Sequence, residues 1–144
     1  MRTLCKLIPS DLRDTSAPRS IETQAQASKR GHEFWTRIYA RNSEFEPNAT
    51  VEACPDYAFI VRDILYGRIF SYDGVLNDLE TGYVIVSALI GIDCQNQLRH
   101  HMKGMLYTGA TREELLKLRN FILDIAHRVG VKMRGAPREI PDID

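Results

Sequence analysis

Residues 94–114 read CQNQLRHHMKGMLYTGATREE, and this stretch decides our prediction of the fold. Five of its side chains, all apolar except one histidine, stand at the spacing that places them on one face of an α-helix. The set comprises Cys94, Leu98, His101, Met102 and Met105. Gly109 is suited to end this helix, and Thr111 with Glu114 forms a capping box that starts the next one. The stretch therefore predicts two helices joined by a tight turn, with His101 on the inward face of the first.

The N-terminal part of the chain contains one clear helical pattern. Ser20 with Thr23 or Gln24 provides a helix start, and the helix is expected to run to about residue 41. Its apolar stripe is typical of packing in a core or against another subunit. The stripe consists of Phe34, Trp35, Ile38 and Tyr39. Polar residues and two prolines predict an extended arm over residues 1–19, and residues 42–54 are expected to form a loop.

Two further helices are predicted between these stretches. Pro55 suits the first turn of one helix, and Asn77 or Asp78 suits the cap of another. Residues 83–92 are apolar on all sides, which favours a helix buried in a bundle or at an oligomer interface, although a buried strand is also compatible. A last helix is expected over residues 111–129. The prediction is an all-α antiparallel bundle with an arm (1–19), a helical domain (20–130) and a tail (131–144).

Composition limits the classes of function. The chain has 144 residues, with 19 Lys and Arg against 19 Asp and Glu, so it has no basic footprint for nucleic acid or anionic membranes. No apolar run approaches the roughly 18 residues of a membrane span, and no signal peptide is expected. The three cysteines, at positions 5, 54 and 94, form no C-x-x-C motif and no zinc spacing with the histidines. We therefore expect a cytoplasmic protein with free thiols and no metal.

An ordered set of short motifs resembles the carboxymuconolactone decarboxylase family. The set comprises Arg30-Gly31, Phe45, Tyr66-Gly67, Gly74, Leu76, Ala88-Leu89, Gln97-Leu98, His101, Gly104 and residues 109–114. The resemblance covers about residues 30–130. It implies an alkylhydroperoxidase-D-like helical bundle that needs no cofactor and forms a homo-oligomer, often a trimer or hexamer. It also implies that the helical hairpin around His101 builds the site.

The related alkylhydroperoxidase-D-like branch has two cysteines before its histidine, and here only the first is present. Cys94 and His101 match that cysteine and the histidine, whereas Gln97 occupies the position of the second cysteine. A dithiol mechanism needs a resolving thiol, so a peroxidase is a weaker alternative than a decarboxylase. Thr81-Gly82 and residues 120–123 also differ from the decarboxylase pattern, which separates the chain from the original lactone substrate.

Decarboxylation without a cofactor requires a proton donor and a clamp for the substrate carboxylate. His101 meets the first need, because an imidazole exchanges protons near neutral pH. Arg68, Tyr66 and Tyr72 are candidates for the clamp, since an arginine fork matches a carboxylate. The predicted catalytic residues are His101, Arg68, Tyr66 and Cys94, and the predicted substrate-binding residues are Tyr72, Leu98, Met105 and His100.

The sequence therefore supports functions of three classes. The first is a decarboxylase of a small cyclic or lactone carboxylic acid, with an isomerase or cyclase using the same histidine as a variant. The second is a thiol peroxidase that uses Cys94 and His101. The third is a helical oligomer that binds a small molecule or partner without catalysis. An open apolar cavity with His101 in its wall would favour an enzyme, and a closed His101 would favour the third class.

Overall fold

Helices form all the regular structure in the part of the chain that is described. A computed structural model describes residues 6–13, 18–135 and 139–143, and no strand occurs in these ranges. The elements are a 3₁₀ turn (Ser10–Leu12), α1 (Pro18–Ile21), α2 (Gln24–Tyr39), α3 (Ala49–Ala53), α4 (Pro55–Phe59), a π-helix (Ile60–Phe70), α5 (Asp78–Gly91), α6 (Gln95–Tyr107) and α7 (Arg112–Arg128). The prediction of an all-α fold is confirmed.

Capping boxes start the three longest α-helices, α2, α5 and α7. Thr23, Asn77 and Thr111 each accept a hydrogen bond from the backbone N–H three residues later, and the side chain at that later position bonds back. The predicted box of Thr111 with Glu114 is thus confirmed. Gly109 has a φ of +112°, a conformation that side chains other than glycine rarely adopt, so it ends α6 as predicted.

Three local predictions were incomplete. The helix expected from about residue 20 is divided, because Thr23 caps a new helix after the short α1. The segment 42–54 is a loop only in its first half and contains α3 in its second. Residues 60–70 form a π-helix, in which the N–H of Ser71 bonds the carbonyl of Tyr66 five residues earlier. The spacing of apolar residues in this segment predicted a helix, but it did not distinguish the wider turns of a π-helix from those of an α-helix.

The ends of the chain are described only in part. Residues 1–5 and 14–17 of the predicted arm, with Cys5 among them, lie outside the described residues, as do 136–138 and 144 of the predicted tail. Ile140 is buried in the core, and Arg112 donates to the carbonyls of Ile140 and Pro141. Residues 140 and 141 of the predicted tail therefore pack against the start of α7.

Two side-chain clusters lie on opposite sides of α6. The aliphatic cluster joins α5, α6 and α7, and its members are Val86, Ile90, Leu98, Met102, Met105, Ala110, Leu115 and Ile140. The aromatic cluster joins α2 and the π-helix, and its members are Phe34, Ile38, Tyr39 and Tyr66, with Trp35 and Phe45 packed against them. The helix that carries His101 therefore separates two cores of different chemistry.

Paired glycines allow α2 and the π-helix to cross closely. A Cβ atom on Gly31 would lie 2.6 Å from both the Cα and the backbone N of Gly67, which no side chain can tolerate. Because the two backbones touch here, two tyrosines near the crossing are held close to each other. These are Tyr39 of α2 and Tyr66 of the π-helix.

Candidate functional site

Three buried polar side chains from three different helices form one hydrogen-bonded group. The hydroxyls of Tyr39 and Tyr66 are 2.6 Å apart, and the Tyr39 hydroxyl is 3.0 Å from Nε2 of His101. The Tyr66 hydroxyl lies 3.4 Å from the same nitrogen. We call these residues the Tyr–Tyr–His group. It brings α2, the π-helix and α6 together at a single point in an otherwise apolar environment.

Burial keeps the Tyr–Tyr–His group uncharged at neutral pH. His101 is only 7% exposed, and loss of hydration lowers its pKa to about 4, with a smaller contribution from His100. Burial raises the pKa of Tyr39 to about 12 and also raises the pKa of Tyr66. Each member is therefore a neutral donor or acceptor at pH 7, and the group carries hydrogen-bond polarity rather than charge.

A cavity of about 190 Å³ opens beside the two tyrosines. We call it the aromatic cavity, because rings dominate its wall. The wall includes Trp35, Tyr39, Phe45, Tyr57, Arg62 and Tyr66. His101 lies behind the tyrosines and is not part of this wall. The cavity thus offers ring faces together with the polar groups of Arg62, Gln97 and the tyrosines, and such a combination can fix the orientation of a small molecule.

The loop 42–48 forms one side of the aromatic cavity through Phe45. The Phe45 ring stacks on Tyr39, with centroids 4.1 Å apart and planes inclined by 19°. It also meets the edges of Trp35 at 5.3 Å and His100 at 5.6 Å. Ring contacts of this kind hold a side chain in one orientation. Phe45 therefore fixes the shape of the cavity on the loop side.

Charged and polar contacts attach the same loop to α6. Glu44 accepts hydrogen bonds from Arg99 at 2.7 and 2.8 Å and from Lys103 at 3.2 Å, which lowers the pKa of its carboxyl to about 2. Asn42 bonds Nδ1 of His100 at 2.9 Å. Because the side chain of Glu44 is 42% exposed, solvent screens much of the attraction. These contacts position the loop more than they stabilise the fold.

Part of the predicted site is brought together. Tyr66 lies beside His101 in the hydrogen-bonded group, and His100 lies at the edge, against Phe45. The predicted roles of these residues stay predictions, because the geometry alone does not test them.

Arg68 and Tyr72 occupy a different part of the molecule. Arg68 donates to the backbone carbonyls of Arg19 and Glu22, both 3.0 Å away. The Tyr72 ring lies under the guanidinium of Arg19, 4.5 Å from its centroid. Two of the three candidates for the carboxylate clamp are therefore not next to His101, because Arg68 and Tyr72 are bound to the N-terminal segment.

The other predicted residues on α6 have separate surroundings. Leu98 and Met105 are buried in the aliphatic cluster, where they fill the core. Cys94 is partly exposed at the N-terminal end of α6, and its side chain makes no capping hydrogen bond. Seven residues along a helix correspond to about 10 Å, so the thiol is remote from the imidazole of His101.

Sequence reasoning missed Tyr39 and the cavity residues Trp35 and Arg62. Tyr39 was assigned to an apolar packing stripe, and its burial agrees with that assignment. Its hydroxyl, however, makes the shortest contact to His101. The sequence offered one indication of this contact. A buried tyrosine usually needs a hydrogen-bond partner for its hydroxyl, and the other side chains of an apolar stripe cannot supply one.

Within residues 6–13, 18–135 and 139–143, no group of three or more His, Cys, Asp or Glu side chains is placed to hold a metal ion. Over the same ranges, no helix combines the length and the apolar character that crossing a bilayer requires.

Comparison with known proteins identifies two fungal relatives. The chain is 31% identical over 135 residues to Peroxisomal protein 2 of Schizosaccharomyces pombe, and 30% identical over 130 residues to Peroxisomal protein 2 of Saccharomyces cerevisiae. The alignments cover 94% and 88% of this chain, but only 63% and 46% of the relatives. The chain thus spans less than two thirds of the length of these curated relatives. No solved structure matches it.

These comparisons correct several expectations from the sequence. No family model matches the chain, and its relatives are named as peroxisomal proteins, so the assignment to the carboxymuconolactone decarboxylase family is wrong. The functions that followed from it are wrong with it, namely the carboxy-lyase, the isomerase or cyclase and the thiol peroxidase. The names of the relatives also contradict a cytoplasmic location.

Proposed function

We propose that this chain is a peroxisome-associated protein that binds a small planar molecule in the aromatic cavity. One observation carries the proposal: the cavity has ring walls, and two of its tyrosines are hydrogen-bonded to a buried neutral histidine. Of the three classes considered from the sequence, this is the one that needs no catalysis.

The walls of the aromatic cavity suit a flat ligand. The rings of Trp35, Phe45 and Tyr57 supply apolar area and π-faces against which a planar ring can stack or pack edge-on. Such contacts contribute about 0.5–1.5 kcal/mol for each aromatic pair beyond the burial of area. A ring of benzene size is therefore the natural occupant of a cavity of about 190 Å³.

The Tyr–Tyr–His group supplies an adaptable polar contact for that ligand. If Nε2 of His101 accepts from Tyr39, then Tyr66 donates to Tyr39 and offers the ligand an acceptor. If Nε2 carries the proton, the direction reverses and Tyr66 offers a donor. The Tyr66 hydroxyl can thus satisfy a carbonyl, a hydroxyl or an amide of the ligand, because the histidine tautomer adjusts behind it.

The position of His101 favours binding over proton transfer to a ligand. The imidazole is closed off behind two tyrosines, and burial lowers its pKa to about 4. A general acid or base works best with a pKa near the working pH and with direct access to the reacting atom. His101 has neither property, so we assign it the role of orienting the tyrosine hydroxyls.

Calorimetry with an uncharged probe tests the binding site. Benzamide has a flat ring and an amide that can both donate and accept. We expect it to bind and to change the fluorescence of Trp35, which is the single tryptophan of the chain and lines the cavity. Tyr66→Phe should weaken binding about fivefold, the equivalent of one hydrogen bond of about 1 kcal/mol.

The matched control is Tyr57→Phe, which removes a hydroxyl from the same wall but outside the Tyr–Tyr–His group. It should leave the affinity for benzamide unchanged. Equal losses in both variants, or no binding to the unmodified chain, would overturn the proposed site.

The peroxisomal association is supported by the names of the two relatives. Imaging of this chain fused to a fluorescent protein tests the association directly. We expect the signal to overlap a peroxisomal marker and to become diffuse in cells that lack peroxisomes. A diffuse signal in unmodified cells would contradict the proposal.

We also propose that the chain forms a homo-oligomer, and the oligomeric states to test are a trimer and a hexamer. Exposed apolar stripes remain on two packed helices. One follows Val84, Ala88 and Ile92 at the end of α5, and the other follows Phe121, Ile125 and Val129 on α7. Contiguous apolar surface of this kind usually meets another protein surface. Light scattering after size exclusion would refute the proposal if it gave a mass near 16.5 kDa.

A further inference from the structure

A second cavity lies next to the aromatic cavity and shares part of its wall. Its volume is about 340 Å³, and its lining includes Ser28, Lys29, His32, Trp35, Arg62 and Asp63. Trp35 and Arg62 line both cavities. We call the second space the polar cavity. The two cavities are therefore neighbours that meet at one tryptophan–arginine pair.

The shared wall is a stacked pair that leaves hydrogen-bonding capacity available. The guanidinium of Arg62 lies over the Trp35 ring, 4.8 Å from its centroid, and donates to the carbonyl of Pro47. An arginine has five N–H donors in one plane, and stacking on a ring leaves the edges of that plane free. Arg62 can therefore stay stacked while it binds a second acceptor.

The charge of the polar cavity is predominantly positive. Lys29 and Arg62 contribute two cations, and Asp63 contributes one anion. The Asp63 carboxylate already accepts a hydrogen bond of 2.5 Å from the hydroxyl of Ser28. In the part of the chain that is described, neither Lys29 nor Arg62 forms an ion pair with a carboxylate. An anion entering this cavity would meet two cations that have no other anionic partner among the described residues.

We propose that the two cavities form one bipartite site for an elongated organic anion. The planar ring of the ligand occupies the aromatic cavity, and its carboxylate or phosphate lies in the polar cavity against Lys29 and Arg62. This inference rests on the proposed function and specifies the class of its ligand. The rings of the aromatic cavity bury the planar ring of the ligand. The two cations of the polar cavity favour a ligand whose opposite end carries a negative charge.

Three probes that differ in one substituent test the charge selection. The first probe is benzamide. The second, 4-carbamoylbenzoate, carries a carboxylate opposite the amide, and the third, 4-carbamoylphenyl phosphate, carries a phosphate at the same position. Calorimetry on the full chain at low salt should show at least one anionic probe binding about tenfold more tightly than benzamide. Two contacts of this charge type correspond to roughly 1–2 kcal/mol near a protein surface. The tighter of the two anions identifies the preferred headgroup.

Lys29→Gln locates the anion, because Lys29 is exposed and lines the polar cavity but not the aromatic one. We expect this variant to bind the preferred anionic probe about threefold to fivefold more weakly and benzamide equally well. Lys132→Gln, at an exposed position outside both cavities, is the matched control and should change neither affinity.

The outcomes separate the two proposals. If benzamide binds but neither anion binds more tightly, the bipartite site is wrong and the aromatic site stands. If Lys29→Gln weakens benzamide as much as the anions, or if Lys132→Gln has the same effect as Lys29→Gln, the bipartite site is also wrong. If no probe binds, both proposals fail.

Discussion

The two cores on either side of α6 differ in what holds them together. The aliphatic cluster is packed from side chains such as Met102 and Leu115, which have no polar atoms to satisfy beyond a thioether. The aromatic cluster contains the Tyr–Tyr–His group, whose polar atoms need partners of defined geometry. Burial stabilises the aliphatic cluster in proportion to the apolar area that it removes from water. The aromatic cluster is stable only if its helices are placed so that the hydrogen bonds of the Tyr–Tyr–His group can form.

This difference shows where a binding site can arise in a small helical protein. The cavity on the aliphatic side, beside Ile90 and Leu98, has a volume of about 10 Å³, whereas the cavity with ring walls on the aromatic side has about 190 Å³. Rigid rings and fixed hydrogen bonds leave space that flexible aliphatic chains would fill. Four predictions test this contrast, in order of decreasing expected effect.

Gly31→Ala should have the largest effect, because it forces α2 away from the π-helix. The new Cβ would meet backbone atoms of Gly67 and Tyr66 at 2.6–2.9 Å, and backbone atoms cannot rotate aside. We expect a loss of at least about 3 kcal/mol in the free energy of unfolding, measured by urea denaturation. Gly91→Ala is the matched control, since a Cβ there meets nothing within 4 Å. A similar loss in both variants would contradict the close crossing.

Acidification should destabilise the aromatic side through His101. The folded protein keeps this imidazole neutral down to a pKa of about 4, whereas a histidine in the unfolded chain takes up a proton near pH 6.5. The unfolded state therefore binds more protons between these values, and the free energy of unfolding falls as the pH drops from 6.5 to 4. The loss is on the order of 3 kcal/mol. His100, whose pKa burial also lowers, adds to the same trend.

Urea denaturation at pH 7, 5.5 and 4.5 measures this dependence. His101→Gln should flatten it, and His127→Gln, at an exposed position near the end of α7, should leave it unchanged. A pH dependence that persists fully in His101→Gln would show that another group is responsible.

Tyr39→Phe should destabilise the protein by about 2 kcal/mol, because it removes the hydroxyl that joins the other two members of the Tyr–Tyr–His group. His101 would keep only the longer contact of 3.4 Å to Tyr66. Tyr107→Phe removes a single hydroxyl contact to a backbone carbonyl at the surface and should cost less than half as much. Equal costs would mean that the buried group has no special stability.

Glu44→Gln should have the smallest effect on stability, because its carboxylate is largely solvated. Its consequence should be local. With the ion pairs to Arg99 and Lys103 weakened, amide hydrogens in the loop 42–48 should exchange faster while those of α6 stay protected. Lys117→Gln, which breaks an exposed pair with Glu113 on α7, is the control. Unchanged exchange in the loop would show that Phe45 and the bond from Asn42 to His100 hold it in place without the ion pairs.

Local sequence patterns predicted the helical elements well. The cap at Asn77 or Asp78, the capping box at Thr111 and the stop at Gly109 depend on residues within a few positions of one another, so they could be predicted without a structure. The same holds for the inward face of α6, where Leu98, Met102 and Met105 are buried as their spacing predicted. The π-helix escaped prediction because its wider turns have no distinctive residue pattern.

The structure brings together some of the residues that the sequence assigned to one site. Tyr66 lies next to His101, whereas Arg68 is bound to the N-terminal segment, and the roles predicted for these residues stay predictions. The sequence distance between Tyr66 and Arg68 is two residues, and on a helix such neighbours point in different directions. The family resemblance added a catalytic reading that the comparisons contradict, so similar short motifs were not sufficient to assign chemistry.

By itself, the sequence determined that the chain is helical, where most helices begin and end, and that His101 faces inward. Only the tertiary structure decided what His101 faces. Its partners Tyr39 and Tyr66 lie 62 and 35 residues away along the chain, and the contact between them spans 27 residues. Periodicity and capping depend on interactions across about four residues, so they cannot encode which helix faces meet. The close crossing at Gly31 and Gly67, the loop at Phe45 and the cavity between them follow from the packing of whole helices.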